Sequence, residues 1–111
     1  MLSLLPALIP ILSVETLFLY RNILTGPLPP TVGGGSLVEL QVHENLLTGS
    51  IPSSIFENVG LQYVQLDSNA LTGEVPQTVG VLTNLVEFRI NNNMFGGTLP
   101  ASLMGLSQLG T

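Results

Sequence analysis

Four asparagines recur at a nearly fixed interval: Asn22, Asn45, Asn69 and Asn93 are separated by 23, 24 and 24 residues. Pro6, Pro29, Pro52, Pro76 and Pro100 follow at spacings of 23, 23, 24 and 24, and Gly26, Gly49, Gly73 and Gly97 each lie four residues after an asparagine and three before a proline. Three residue types held in phase over four cycles confine the chain to a stack of similar units, because a unit this short cannot bury its apolar residues alone. The complete units span 14–36, 37–60, 61–84 and 85–108, flanked by a partial unit at 1–13 and the opening of another at 109–111, all within one domain of 111 residues. Each follows one template, apolar-x-x-apolar-x-apolar-x-x-Asn-x-apolar-x-Gly-x-apolar-Pro-x-x-apolar.

The second half of the template is the more specific. It reads LTGPLP at Leu24–Pro29, LTGSIP at Leu47–Pro52, LTGEVP at Leu71–Pro76 and the drifted FGGTLP at Phe95–Pro100. A period of 20 to 29 residues with LxxLxLxxNxL is the leucine-rich-repeat signature. The LTGxIP extension resembles the plant-type repeats of receptor-like kinase and receptor-like protein ectodomains and of polygalacturonase-inhibiting proteins. The resemblance covers nearly the whole chain. It implies an α/β-type right-handed solenoid, non-catalytic recognition of a protein, peptide or cell-wall glycan, and a cell-surface or extracellular setting. Plant-type arrays carry Cys-containing caps, and this chain has no cysteine. It therefore reads as a fragment of a longer receptor-like or inhibitor-like protein, or as a stack whose bare ends invite end-to-end self-association.

The residues themselves indicate how a unit folds. Alternation in pairs such as Leu17/Leu19 and Val64/Leu66 is the period of a strand with one buried face. Asn22, Asn45, Asn69 and Asn93 are expected to form an internal ladder that satisfies backbone groups leaving the sheet. The glycine of LTG permits a turn, and the proline precedes a short helical turn on the convex side, as in Pro-Ser-Ser-Ile. A parallel concave sheet of four strands follows, backed by 3₁₀ turns.

Composition removes most other functions. Nine of 111 residues are charged, 8% against roughly 25% in an ordinary soluble domain, and the net charge is −5. With Arg21 and Arg89 the only cations, no basic footprint exists for nucleic acid or anionic membranes. One histidine and no cysteine exclude thiol nucleophiles, disulfides and multi-histidine metal sites, and no cofactor is expected. Residues 1–12 look like a secretory apolar core, yet they lack a basic start and hold two prolines in repeat phase, which favours a half-unit over a leader.

The strand assignment places four stacked columns on the concave face. They are Thr16, Glu39, Tyr63, Glu87; Phe18, Gln41, Gln65, Arg89; Tyr20, His43, Asp67, Asn91; and Arg21, Glu44, Ser68, Asn92. Six of the nine charges fall there. That concentration marks the candidate ligand face, set against the plainer reading of a solvated polar sheet. Phe18, Tyr20 and Tyr63, beside Arg21, are candidate aromatic anchors of this face, the alternative being that Phe18 packs against the N-terminal half-unit or a missing neighbour. A hydrogen bond between His43 and Asp67, one row apart, is feasible, but no nucleophile with an oxyanion hole accompanies it and an open trough does not exclude water. Glu39, Glu44, Asp67 and Glu87 lack the spacing of a calcium loop. Thr25, Thr48 and Thr72 form a short rank whose plainer role is to cap turns and whose alternative is contact with ice or another ordered surface.

Overall fold

The computed structural model describes residues 15–29, 32–97 and 100. The half-unit expected at 1–13 and the unit opening at 109–111 lie outside them. Six short strands run in chain order: β1 (Thr16–Phe18), β2 (Thr25–Pro27), β3 (Glu39–Gln41), β4 (Leu46–Thr48), β5 (Tyr63–Gln65) and β6 (Glu87–Arg89). β1, β3, β5 and β6 form a parallel sheet in that order, which is the concave sheet the alternation predicts. Each of the first three units returns along the convex side through a 3₁₀ turn, at Val32–Gly35, Ser53–Glu57 and Gln77–Val81.

The middle residue of each concave strand points inward. Leu17, Leu40, Val64 and Phe88 are buried, while their strand neighbours are half-buried or exposed. Behind them the core continues through Leu24, Leu47 and Leu71, then Leu28, Ile51 and Val75, then Val32, Ile55 and Val79. Each set repeats one template position, so each side chain packs on its own counterpart in the next unit. Phe56 and Phe88 meet edge to face, centroids 6.1 Å apart. Gly80 holds in the third unit the position that Phe56 holds in the second, which leaves room for the two rings to approach.

The asparagines bind backbone on both sides of their turn. Asn69 Nδ2 donates to the carbonyls of Val42 (3.1 Å), Leu66 (3.2 Å) and Asp67 (3.2 Å), while its Oδ1 accepts the Leu47 N–H (3.1 Å). Asn45 and Asn93 repeat the pattern, accepting from Leu24 and Leu71. The four ladder asparagines do not themselves take a left-handed conformation. The left-handed position is the residue before each one: Arg21 (φ 55), Glu44 (φ 59), Ser68 (φ 59) and Asn92 (φ 58). One such residue lies three positions past each concave strand and swings the chain out of the sheet.

The LTG segment is also more than a turn. β2 and β4 pair in parallel as a second, lateral sheet. The same backbone pattern continues past them, with Ala70 N–H donating to Leu47 O (2.8 Å) and Met94 N–H to Leu71 O (2.8 Å). Its glycine is required: at Gly73 (φ 77) a Cβ would lie 3.1 Å from the Ser50 Cβ of the unit before.

One unit is a residue short. The first spans 23 residues and the next three 24, and the missing residue falls between Val32 and Leu37. In the longer units the N–H of Leu61 and of Leu85 donates back to the preceding 3₁₀ turn, to Asn58 O (3.1 Å) and Leu82 O (3.0 Å). Leu37 instead donates to Asn58 Oδ1 (3.0 Å), reached from the next unit. Asn58 is 1% exposed, and its Nδ2 also donates to Val32 O (3.2 Å) and Ile55 O (2.7 Å). A polar side chain thus restores the bonds that the deletion removes.

Candidate functional site

Strand register decides which side chains stand together. Thr16, Glu39, Tyr63 and Glu87 are Cα partners in succession, and so are Phe18, Gln41, Gln65 and Arg89. Beyond the strands the ladder continues with Arg21 N–H donating to His43 O, Glu44 N–H to Asp67 O and Ser68 N–H to Asn91 O, each at 3.0 Å. The third and fourth columns are therefore aligned as well, although the fourth lies on the left-handed turn and projects from the rim.

The charged groups of this face are mostly paired with one another. Arg21 Nε meets Glu44 Oε2 at 2.6 Å, and Arg89 Nε meets Glu87 Oε2 at 2.8 Å. Gln65 Nε2 donates to the other Glu87 oxygen (3.0 Å), and Gln41 Nε2 donates to Glu39 Oε2 (2.8 Å). Arg21 and Glu44 are both exposed and Arg89 meets a half-buried Glu87 from the solvent side; such surface contacts contribute about 0–1 kcal/mol, so they organise the surface more than they stabilise it.

The aromatic group differs in membership from the one expected. Phe18 and Tyr20 touch edge to face with centroids 6.2 Å apart, and Tyr20 stacks on His43 at 5.0 Å with the planes 15° apart. Tyr63 stands two rows on in the first column, with no ring contact among the described residues. His43 takes its place, a partner legible from its shared column with Tyr20. Phe18 and Tyr20 remain 50% and 41% exposed, so this shelf is half open to solvent.

The feasible bond between His43 and Asp67 is not formed. His43 Nδ1 and Asp67 Oδ1 are both buried without a hydrogen-bond partner. An unpaired buried polar atom costs about 1–3 kcal/mol, so this pair of rows holds unused hydrogen-bonding capacity. No group of three or more His, Cys, Asp or Glu side chains arranged to hold a metal ion is present among the described residues. A shallow depression lined by Phe88, Arg89, Ile90 and Asn91 borders the last strand.

Two further surfaces bear on function. Thr48 and Thr72 are exposed, while Thr25 is half-buried and Gly96 takes the fourth place in that rank. The position after each asparagine carries Ile23, Leu46, Ala70 and Met94, of which the first, second and fourth are exposed. The apolar character of that position in all four units was the available signal for this lateral stripe.

The Leucine Rich Repeat family model matches residues 84–106, where the fourth unit lies, and the solved structures below repeat the same unit stack. The chain belongs to the leucine-rich-repeat family. This leucine-rich-repeat chain superposes on the plant peptide hormone receptor RGFR1 in complex with RGF2 with a TM-score of 0.79, at 31% identity over 84% of this chain and 15% of the receptor. The ectodomain of the Arabidopsis receptor kinase HAESA in complex with an N-terminally extended IDA peptide hormone gives 0.79 and 33%, over 84% and 16%. A plant ice-binding protein gives 0.71 and 32%, over 78% and 28%. The chain spans about one sixth of the length of either receptor. A comparison with curated proteins finds no match.

Proposed function

We propose that these repeats form a non-catalytic recognition surface for an extended peptide or protein segment, acting outside the cell as part of a receptor-like or inhibitor-like array. The observation that carries this reading is the aligned set of concave columns, where an open aromatic shelf stands among six of the chain's nine charges. The two receptors that share the fold are described as complexes with peptide hormones, which supports a peptide over a glycan. Among the described residues no helix is long and apolar enough to cross a membrane. The threonine rank offers less, because only Thr48 and Thr72 present themselves to a flat surface.

Scale limits the affinity. Each row contributes the seven residues from Glu15 to Arg21 or their counterparts, roughly 20 Å of backbone, and rows are about 4.8 Å apart. Four rows make a trough on the order of 300–400 Å², below the roughly 800 Å² per partner of a standard interface. Binding by this array alone is expected to be weak, with a dissociation constant on the order of 0.1–1 mM.

The reading is tested by selecting peptides from a random dodecamer library against the purified chain. Selected peptides should lose binding to a variant carrying Glu39→Arg, Glu44→Arg and Arg89→Glu, and retain it with Ser53→Arg and Thr78→Arg on the convex side. Retention by the concave variant together with loss in the convex variant would reverse the assignment of the binding face.

A further inference from the structure

Within the proposed peptide-binding face, on which this inference rests, we propose that rows one to three form a subsite for an arginine side chain of the bound segment. The third column runs Tyr20, His43, Asp67, so an aromatic wall leads directly to a carboxylate. Tyr20 and His43 are stacked at 5.0 Å and Phe18 closes the near side at 6.2 Å, with Phe18 and Tyr20 about half open. Rows are about 4.8 Å apart, so a planar cation lying on the wall comes within reach of Asp67.

Charge balance selects the sign of the ligand. The four columns hold four carboxylates, Glu39, Glu44, Asp67 and Glu87, against two guanidiniums. Both guanidiniums are already engaged, Arg21 with Glu44 and Arg89 with Glu87. Glu39 and Asp67 are left without a cation, and Glu39 draws only a neutral donor, from Gln41. Asp67 Oδ1 has no donor at all. The last torsion of an aspartate is broad, so a small rotation turns that oxygen outward to a donor in the trough.

Arginine matches both halves of the site. Its guanidinium offers five donors in a plane and stacks on aromatic faces, whereas lysine brings a compact charge without the plane. A neutral apolar side chain would cover the wall and leave Asp67 unpaired. An acidic one would meet an excess of negative charge in a chain of net charge −5.

The experiment uses positional-scanning pools of acetylated, amidated hexapeptides, with one residue fixed as Arg, Lys, norleucine or Glu and the rest drawn from Gly, Ser, Ala, Leu and Tyr. Each pool is titrated at low salt onto immobilised chain. The Arg pool should bind about fivefold more tightly than the norleucine pool, the size of an exposed cation–π and ion-pair contribution, with Lys between them and Glu weakest. Asp67→Asn should cut the Arg preference to less than twofold while leaving the norleucine pool unchanged, and Asp67→Glu should restore it. Tyr20→Leu, at an exposed position, should do the same to Arg and leave Lys little affected. Equal binding of the Arg, norleucine and Glu pools, still lost in the concave charge-reversed variant, would overturn the arginine subsite and leave the concave reading standing. Binding of every pool unaltered by that variant, or binding of none, would overturn both.

Discussion

Asn58 shows how one residue can carry an irregularity of the whole repeat. It supplies the acceptor that the short first unit lacks for the Leu37 N–H, and donates to Val32 O and Ile55 O. Asn58→Ala is expected to destabilise the chain by about 2–3 kcal/mol, since it strands a buried N–H and a buried carbonyl, with Asn84→Ala on the surface within about 0.5 kcal/mol. Urea midpoints of the two variants check this. The 23-residue spacing exposed the deletion, but nothing in the sequence said that a side chain 21 positions away would fill the gap. For His43 the shared column placed the ring beside Tyr20, but the stacking of the two at 5.0 Å depended on side-chain orientation that no spacing encodes. Left-handed dihedrals at Arg21 and Glu44 were hidden for a related reason, because bulky charged residues do not announce that conformation as glycine does.

At the scale of the element, the asparagine ladder ties each unit to its neighbour. Asn69 lies mid-stack with bonds into the second unit, whereas the bonds of the exposed Asn22 to described residues stay within its own turn, to Leu19 O and Tyr20 O. Asn69→Ala should therefore cost about 2–3 kcal/mol and Asn22→Ala no more than about 1 kcal/mol, measured by thermal or denaturant unfolding. The concave strands could be read from alternation alone, since one face must be apolar. The lateral sheet could not, because β2 is built from Thr-Gly-Pro, and glycine and proline argue against a strand. Its pairing comes from backbones held parallel by the stacked core on one side and the ladder on the other. The three 3₁₀ turns were legible in outline, since proline fixes their entry and a buried Val or Ile follows three residues later.

For the whole molecule, repetition explains why so few charges are present and why they collect. Ladders of Leu, Asn, Gly and Pro occupy the positions that stack on their own copies, and Glu15, Glu57 and Glu74 are the only charges outside the four concave columns. The columns were readable because period and alternation together fix which residue stands beside which. The pairing of Arg21 with Glu44 and of Arg89 with Glu87, and the missing bond between His43 and Asp67, depended on side-chain reach that no spacing encodes. The central claim is that this face is where a ligand is held. Nuclear magnetic resonance shift mapping of the isotope-labelled chain during titration with a selected peptide tests it most directly. The signals of Phe18, Tyr20, Gln41, His43, Gln65 and Asp67 should move together along one binding curve, while those of Ser53, Thr78 and Val81 on the convex turns stay still. Shifts confined to the convex turns, or to the lateral stripe of Ile23, Leu46 and Met94, would contradict it.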